Sequence, residues 1–233
     1  PKPLRDSLFA FAGIDNSKGI SFLVATSSPW FEQLRAEPSS LLRPYVTGDD
    51  ITSSSLARVG RWALDTADMP LEEIREHWPV AYRFLTQNVK PTRTASALQS
   101  YDGLAERWWQ FWRHRADLFR RIRTQRECVA FAKAAKYAVC VTAPTAWIYT
   151  NKVVLVEAVR PDVHAICLSS FFQAWLRNYS LRSLGGDTST MSLSISDALA
   201  TFPLPQNDVP DMGRTAARSF QDALVTWSTQ REA

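Results

Sequence analysis

The sequence predicts an α+β fold in which short antiparallel strands form a twisted sheet with flanking helices, and an amphipathic helix ends the chain. Three observations carry this expectation. β-prone runs recur along the chain, and four of them crowd between 127 and 158. Helical periodicity appears before that block and again after it. At 233 residues, 45% hydrophobic and 21% charged, the chain has the apolar mass to bury a core, as one large domain or two small ones.

Taken in order, residues 8–14 and 19–25 are β-prone and flank a turn-forming cluster from Ile14 to Lys18, which reads as a hairpin. Pro29 to Ala36 is a short helix. Residues 41–46 form a strand that ends at the turn signal Thr47-Gly48-Asp49-Asp50, and 61–65 form another. Asp68-Met69-Pro70 with Glu72 and Glu73 starts a helix toward Asn88, which Pro79 bends or breaks. From Leu104 to Arg123, seven apolar residues (Leu104, Trp108, Phe111, Trp112, Leu118, Phe119, Ile122) share one helical face. Arg115 falls inside that face. Either the helix breaks near His114, or Arg115 meets an acidic or phosphate partner.

Strand runs at 127–133, 137–142, 147–150 and 152–158 read as a meander, and Pro161 opens a packed helix reaching Tyr179. Residues 180–197, rich in serine, threonine and glycine, read as a long loop of the kind that is usually functional. Phe202-Pro203-Leu204-Pro205 closes it, and Thr215 to Arg231 supplies the last helix.

Much chemistry is missing. No glycine-rich turn precedes a helix, so no cofactor cradle is expected. GxSxG, HExxH and EF-hand patterns are absent. Cys128, Cys140 and Cys167 have neither disulfide nor zinc spacing, and His77, His114 and His164 lack metal-ligand spacing. No apolar run is long enough to cross a bilayer, and a cytoplasmic location without membrane contact is expected. The chain opens on Pro1, which is read as the start of a piece of a longer protein.

Charge is distributed unevenly. Residues 107–136 hold nine basic side chains (Arg107, Arg113, Arg115, Arg120, Arg121, Arg123, Arg126, Lys133, Lys136) against Asp117 and Glu127. The whole chain is only +4, so the remainder is acidic on balance. Such a stripe is an electrostatic footprint for a polyanion. Within it, Trp109 projects away from the apolar face and is read as free to stack on a base.

Several separated segments resemble one family. They are Phe11-Ala12-Gly13 through Phe22, LLRPYVTGDDI (41–51), RWALD (61–65), NVKPTR (88–93), RWWQFWRHR (107–115), LSSFFQAWLRNYSLRS (168–183) and SDALATFPLP (196–205). In order and spacing they resemble the C-terminal target-recognition domain of MmeI-like combined restriction and adenine-N6 DNA methyltransferases, including related phage-defence methylases. Ala116 stands where the family often has proline, and residues 184–192 are more glycine-rich than its usual pattern.

The resemblance implies a reader of double-stranded DNA over residues 1–205, with 206–233 packing on it or leading to the rest of the parent protein. Catalysis and S-adenosylmethionine would then belong to an upstream methyltransferase domain, with no cofactor, no metal and no catalytic residue in this chain. Lys90, Arg93, Arg115, Arg126, Lys133 and Lys136 are the expected DNA contacts, several of them phosphate grips, with Trp109 as a stacking ring. Arg182, Ser183, Asp187, Thr188 and Ser189 are the expected base-edge readers. Arg43, Tyr45, Gly48 and Asp50 are assigned to folding. Two other readings compete: a protein-interaction module docking through the Trp/Arg-rich helix, and a small metal-dependent nuclease.

Overall fold

The computed structural model describes residues 8–15, 19–54, 56, 59–94, 103–182 and 190–230, with only the backbone described at 54, 181 and 182. The chain opens with β1 (Ala10–Ala12), a 3-10 turn (Ile20–Phe22) and β2 (Leu23–Val24). α1 (Pro29–Arg35) is capped by Ser28, whose hydroxyl accepts from the Trp30 N–H, with Pro29 at the first helical position. β3 (Leu42–Val46), α2 (Gly48–Ser54) and β4 (Trp62–Leu64) follow. α3 (Leu71–His77) stops at Trp78, and α4 (Pro79–Phe84) restarts at Pro79, so the proline breaks the helix as expected. α4 widens into a π-helical turn (Leu85–Val89) and tightens again as α5 (Lys90–Arg93). The wide turn lies just ahead of Pro91, whose ring and missing N–H disfavour a regular α turn there.

The second half holds α6 (Ala116–Ile122), β5 (Glu127–Ala132), β6 (Ala134–Ala135), β7 (Cys140–Pro144), β8 (Ile148–Tyr149) and β9 (Val153–Val156). Then come α7 (Val163–Leu168), α8 (Ser170–Tyr179), β10 (Leu181–Arg182), β11 (Met191–Ser192), a π-helical turn (Ile195–Leu199) and α9 (Asp211–Gln230). The α+β class is as the sequence predicts.

The central sheet has the order β1-β9-β5-β7, antiparallel throughout. Both of its faces are buried, which is why its strands read as near-continuous apolar runs. Cys128, Ala130, Ala132, Val153 and Leu155 face one hydrophobic cluster, built from α1 to α4, the π-helical turn at 85–89, α6 and the strands beneath them. Val129, Phe131, Val154 and Val156 face a second, smaller cluster with α7, α8 and the turn at 195–199. A second sheet, β2-β4-β3-β8, joins the halves of the chain through the parallel pair β3 and β8. A third, β10-β11-β6, is two residues long in each strand.

Four local expectations are corrected. Residues 8–14 and 19–25 are not a hairpin: β1 pairs with β9 and β2 with β4, so each finds its partner in a different sheet. Just past β1, Gly13 lets the chain run close against the end of β8, since a Cβ there would sit 2.0 Å from the Tyr149 carbonyl oxygen. The strands from 127 to 158 are not a simple meander, because β8 leaves the central sheet for β3. The third correction concerns residues 104–115, which form turns rather than a helix; regular helix begins only at Ala116. Arg115 adopts a left-handed conformation (φ 53°, ψ 39°), and the His114 Nδ1 accepts from the Ala116 N–H at 3.1 Å. The premise of a helix carrying Arg115 on its apolar face therefore does not hold, and Arg115 instead marks the N-terminal boundary of α6. The helix expected after Pro161 is likewise divided, at the extended Ser169, whose hydroxyl caps α8 by accepting from the Phe172 N–H.

α9 begins at Asp211, four residues earlier than the periodicity suggests, and packs on α7 and α2. Among the described residues, no helix is long and apolar enough to cross a membrane.

Candidate nucleic-acid interface

The smallest sheet assembles the most distinctive surface. β11 stands between β10 and β6, with Arg182 opposite Met191 and Met191 opposite Ala135. Arg182 and Met191 are thus the ends of a hairpin stem, and the span between them includes 183–189, which lies outside the described residues. Ala135 is level with those ends, so exposed Lys136 and Tyr137 follow directly beside them. Tyr137 is 61% exposed, and the Lys136 Nζ lies 5.4 Å from its ring centroid.

At the other end of β6 the Lys133 N–H donates to the Lys152 carbonyl at 2.7 Å. Ala132 pairs with Val153, so Lys133 and Lys152 are the next cross-strand neighbours. Two lysines placed opposite one another destabilise a sheet unless something anionic lies over them. None of Lys133, Lys136 and Lys152 forms an ion pair with a described residue. The sequence does not single out Lys152, because only the β5–β9 register reveals its place.

The structure therefore brings Lys133, Lys136 and the backbone of Arg182 to one sheet, and it separates other expected contacts from them. Arg126 lies before β5, roughly 20 Å from Lys133 at the usual rise per strand residue. Lys90 is exposed on α5, with its Nζ 5.4 Å from the Trp108 ring. Arg115 is half-buried at the start of α6. Ser183, Asp187, Thr188 and Ser189 lie outside the described residues.

Two expectations fail on burial. Arg93 has no exposed surface; its guanidinium lies 5.1 Å from the Phe22 ring centroid, and none of its three nitrogens has a hydrogen-bond partner among the described residues. Burial lowers its pKa to about 10. An arginine so enclosed does not reach a phosphate. Trp109 is not a free stacking ring either: its Nε1 donates to the Met69 carbonyl at 2.9 Å, and its ring packs against the first cluster, 5.9 Å from Trp108. The same packing removes the Trp/Arg-rich helix on which the protein-interaction reading rests.

Nor is the basic stripe at 107–136 one surface. Arg120 pairs with Asp68 and Asp117, Arg121 with Glu157, and Arg123 with Asp65. Three of those four acids lie outside the stripe, brought in by tertiary folding. Arg121 also lies over the Phe9 ring at 3.5 Å. The turn motif at 47–50 has the folding role expected of it. Asp50 accepts from the Thr47 N–H at 2.6 Å and from Arg61 at 2.8 Å, which ties α2 to the start of β4.

Among the described residues no group of three or more His, Cys, Asp or Glu side chains is placed to hold a metal ion. Burial pushes the thiol of Cys128 up to about 12 and also raises those of Cys140 and Cys167 well above the ordinary value, which makes all three poor nucleophiles at neutral pH. Of the described glycines, Gly13 and Gly48 approach backbone closely, and in both cases it is the protein's own, at Tyr149 and Lys152.

No protein-family model matches the chain, and no curated protein matches it. Among solved structures, the fold is similar to that of the Type IIL restriction-modification enzyme MmeI in complex with DNA, with a TM-score of 0.62 and 18% sequence identity. The match covers 96% of this chain and 28% of that enzyme's, so this chain spans well under a third of its neighbour's length.

Proposed function

We propose that this chain is a double-stranded DNA recognition domain of a restriction-modification enzyme or DNA methyltransferase. In this reading it supplies sequence choice, while adenine-N6 methylation, with S-adenosylmethionine, belongs to a methyltransferase domain upstream. No step of that reaction is assigned to residues of this chain. One observation carries the reading: Lys133, Lys136 and Lys152, without acidic partners among the described residues, gather beside a hairpin stem bearing a Ser/Thr/Gly-rich span. Lysines set register on the phosphates, and the span from Arg182 through Ser183, Asp187, Thr188 and Ser189 reads base edges. Exposed Tyr137 adds a flat ring at the same edge. The likeness to an enzyme solved with DNA supports the same assignment.

Fluorescence anisotropy of labelled duplex against salt tests it. Binding weakens as salt rises, and the Lys133→Ala/Lys136→Ala/Lys152→Ala variant flattens the log–log slope by about 2.7, or 0.9 for each phosphate no longer neutralised. Affinity indifferent to salt, or a slope unchanged in the triple variant, refutes the proposal.

A further inference from the structure

A second site is built on the opposite end of β5. There the first residues of that strand, the edge strand β7, the segment 158–165 and α9 enclose a cleft of about 430 Å³. That volume is within the range of small-molecule sites. Four arginines line it. Arg160 is committed to Asp162 and Asp208, and Arg214 to Asp211. Arg126, entering β5, and Arg218, on α9, make no ion pair with a described residue. Glu127 is the one carboxylate in the lining.

Beside them lies an unsatisfied polar group. His164 has its Nδ1 3.2 Å from the Thr142 Oγ1, while its Nε2 is buried without a hydrogen-bond partner. A buried polar atom left alone is costly, and the ring that carries it belongs to the lining of the cleft. Besides Gln125 and Thr142, the remaining lining is apolar and includes Val159, 55% exposed, together with Ala165 and Ala217. A planar guanidinium donates two parallel N–H bonds to two oxygens of a phosphate, and small apolar side chains suit a ring or sugar lying beside it.

The geometry points to a binding site for a phosphate-bearing ligand of nucleotide size in this cleft, held by Arg126 and Arg218 with His164 at its wall. The site is independent of the hairpin surface. Its phosphate comes either from a free nucleotide or from the backbone of bound DNA, and the two sources separate experimentally.

Calorimetry and thermal shift on the whole chain, at constant ionic strength set with chloride, use inorganic phosphate and thymidine 5′-monophosphate as probes. Both probes bind and raise Tm, the monophosphate more tightly. Arg126→Ala/Arg218→Ala lowers their affinity at least tenfold while the ligand-free Tm holds. The triple lysine variant binds them normally. A shift of the His164 ring resonance in the NMR spectrum on phosphate addition supports the placement. If duplex displaces the monophosphate and the double variant weakens duplex binding, the phosphate is the DNA backbone's; if duplex does neither, it is a free nucleotide's. Phosphate binding no stronger than chloride's, or unchanged in the double arginine variant, overturns the site.

Discussion

Gln221 of α9 grips Thr142 of β7 with both ends of its amide: its Oε1 accepts from the Thr142 N–H at 2.8 Å, and its Nε2 donates to the Thr142 carbonyl at 3.3 Å. β7 is an edge strand, with β5 on its other side. A side chain from a helix thus completes one rung of a ladder that would otherwise face solvent or another chain. Gln221→Ala removes both bonds and destabilises the protein by about 1–3 kcal/mol in equilibrium urea unfolding. Gln221→Glu keeps the acceptor and loses the donor, and it falls between wild type and the alanine variant.

Arg93 is a stability liability. Its interaction with Phe22 contributes about 0.5–2 kcal/mol, against a penalty of several kcal/mol for a buried charge without a partner. Arg93→Met retains the volume and discards the charge. It raises stability by about 1–4 kcal/mol on the scale of comparable replacements, seen as a higher Tm by calorimetry. A drop in Tm would mean that the guanidinium has an anionic partner in the native protein.

Asp162 ties α7 to the segment that leads into α9. It has no exposed surface and accepts from the Arg160 Nε at 3.0 Å, the Arg160 Nη2 at 2.6 Å and the Val209 N–H at 2.7 Å. Burial alone would raise its pKa, but Arg160 and the Val209 N–H outweigh that and hold the carboxyl below its ordinary value. Asp162→Asn costs about 2–3 kcal/mol, less than the 3–5 of a fully buried pair, because Arg160 keeps 23% of its side chain in water. Increased proteolysis within α9 checks that the destabilisation is felt there.

Two half-buried histidines make stability depend on pH. Burial lowers the pKa of both His114 and His164 from the ordinary 6.5. Below 6.5 the unfolded chain takes up protons that the folded chain still refuses. Stability is therefore full above pH 6.5, falls as the solution is acidified, and levels once the folded rings protonate as well. Denaturation midpoints between pH 8 and 5 show this slope, and His164→Leu removes part of it.

Much of this architecture is legible in the sequence because local and tertiary signals agree. β5 and β9 read as strands from their unbroken apolar runs, a consequence of burial on both faces. Ser28-Pro29 marks the start of α1, and Pro79 the break before α4. Residues 104–115 mislead because aromatic spacing suits a helix while Trp109 and Gln110 instead bond to the carbonyl of Met69, forty residues away. The charge stripe misleads for a related reason, since Asp65, Asp68 and Glu157 come from distant segments. Lys133 and Lys136 can be picked out from the sequence alone. Their neighbour Lys152 requires the strand register.

The stem formed by β10 and β11 is short, and β11 and the residue after it are anchored in the second cluster by Met191 and Leu193, both nearly inaccessible. A stem fixed at its base tolerates a change in the length of the span it closes at little cost in free energy. If the proposed reading holds, an insert of different size or chemistry on this stem would change what the domain discriminates without a new folding problem.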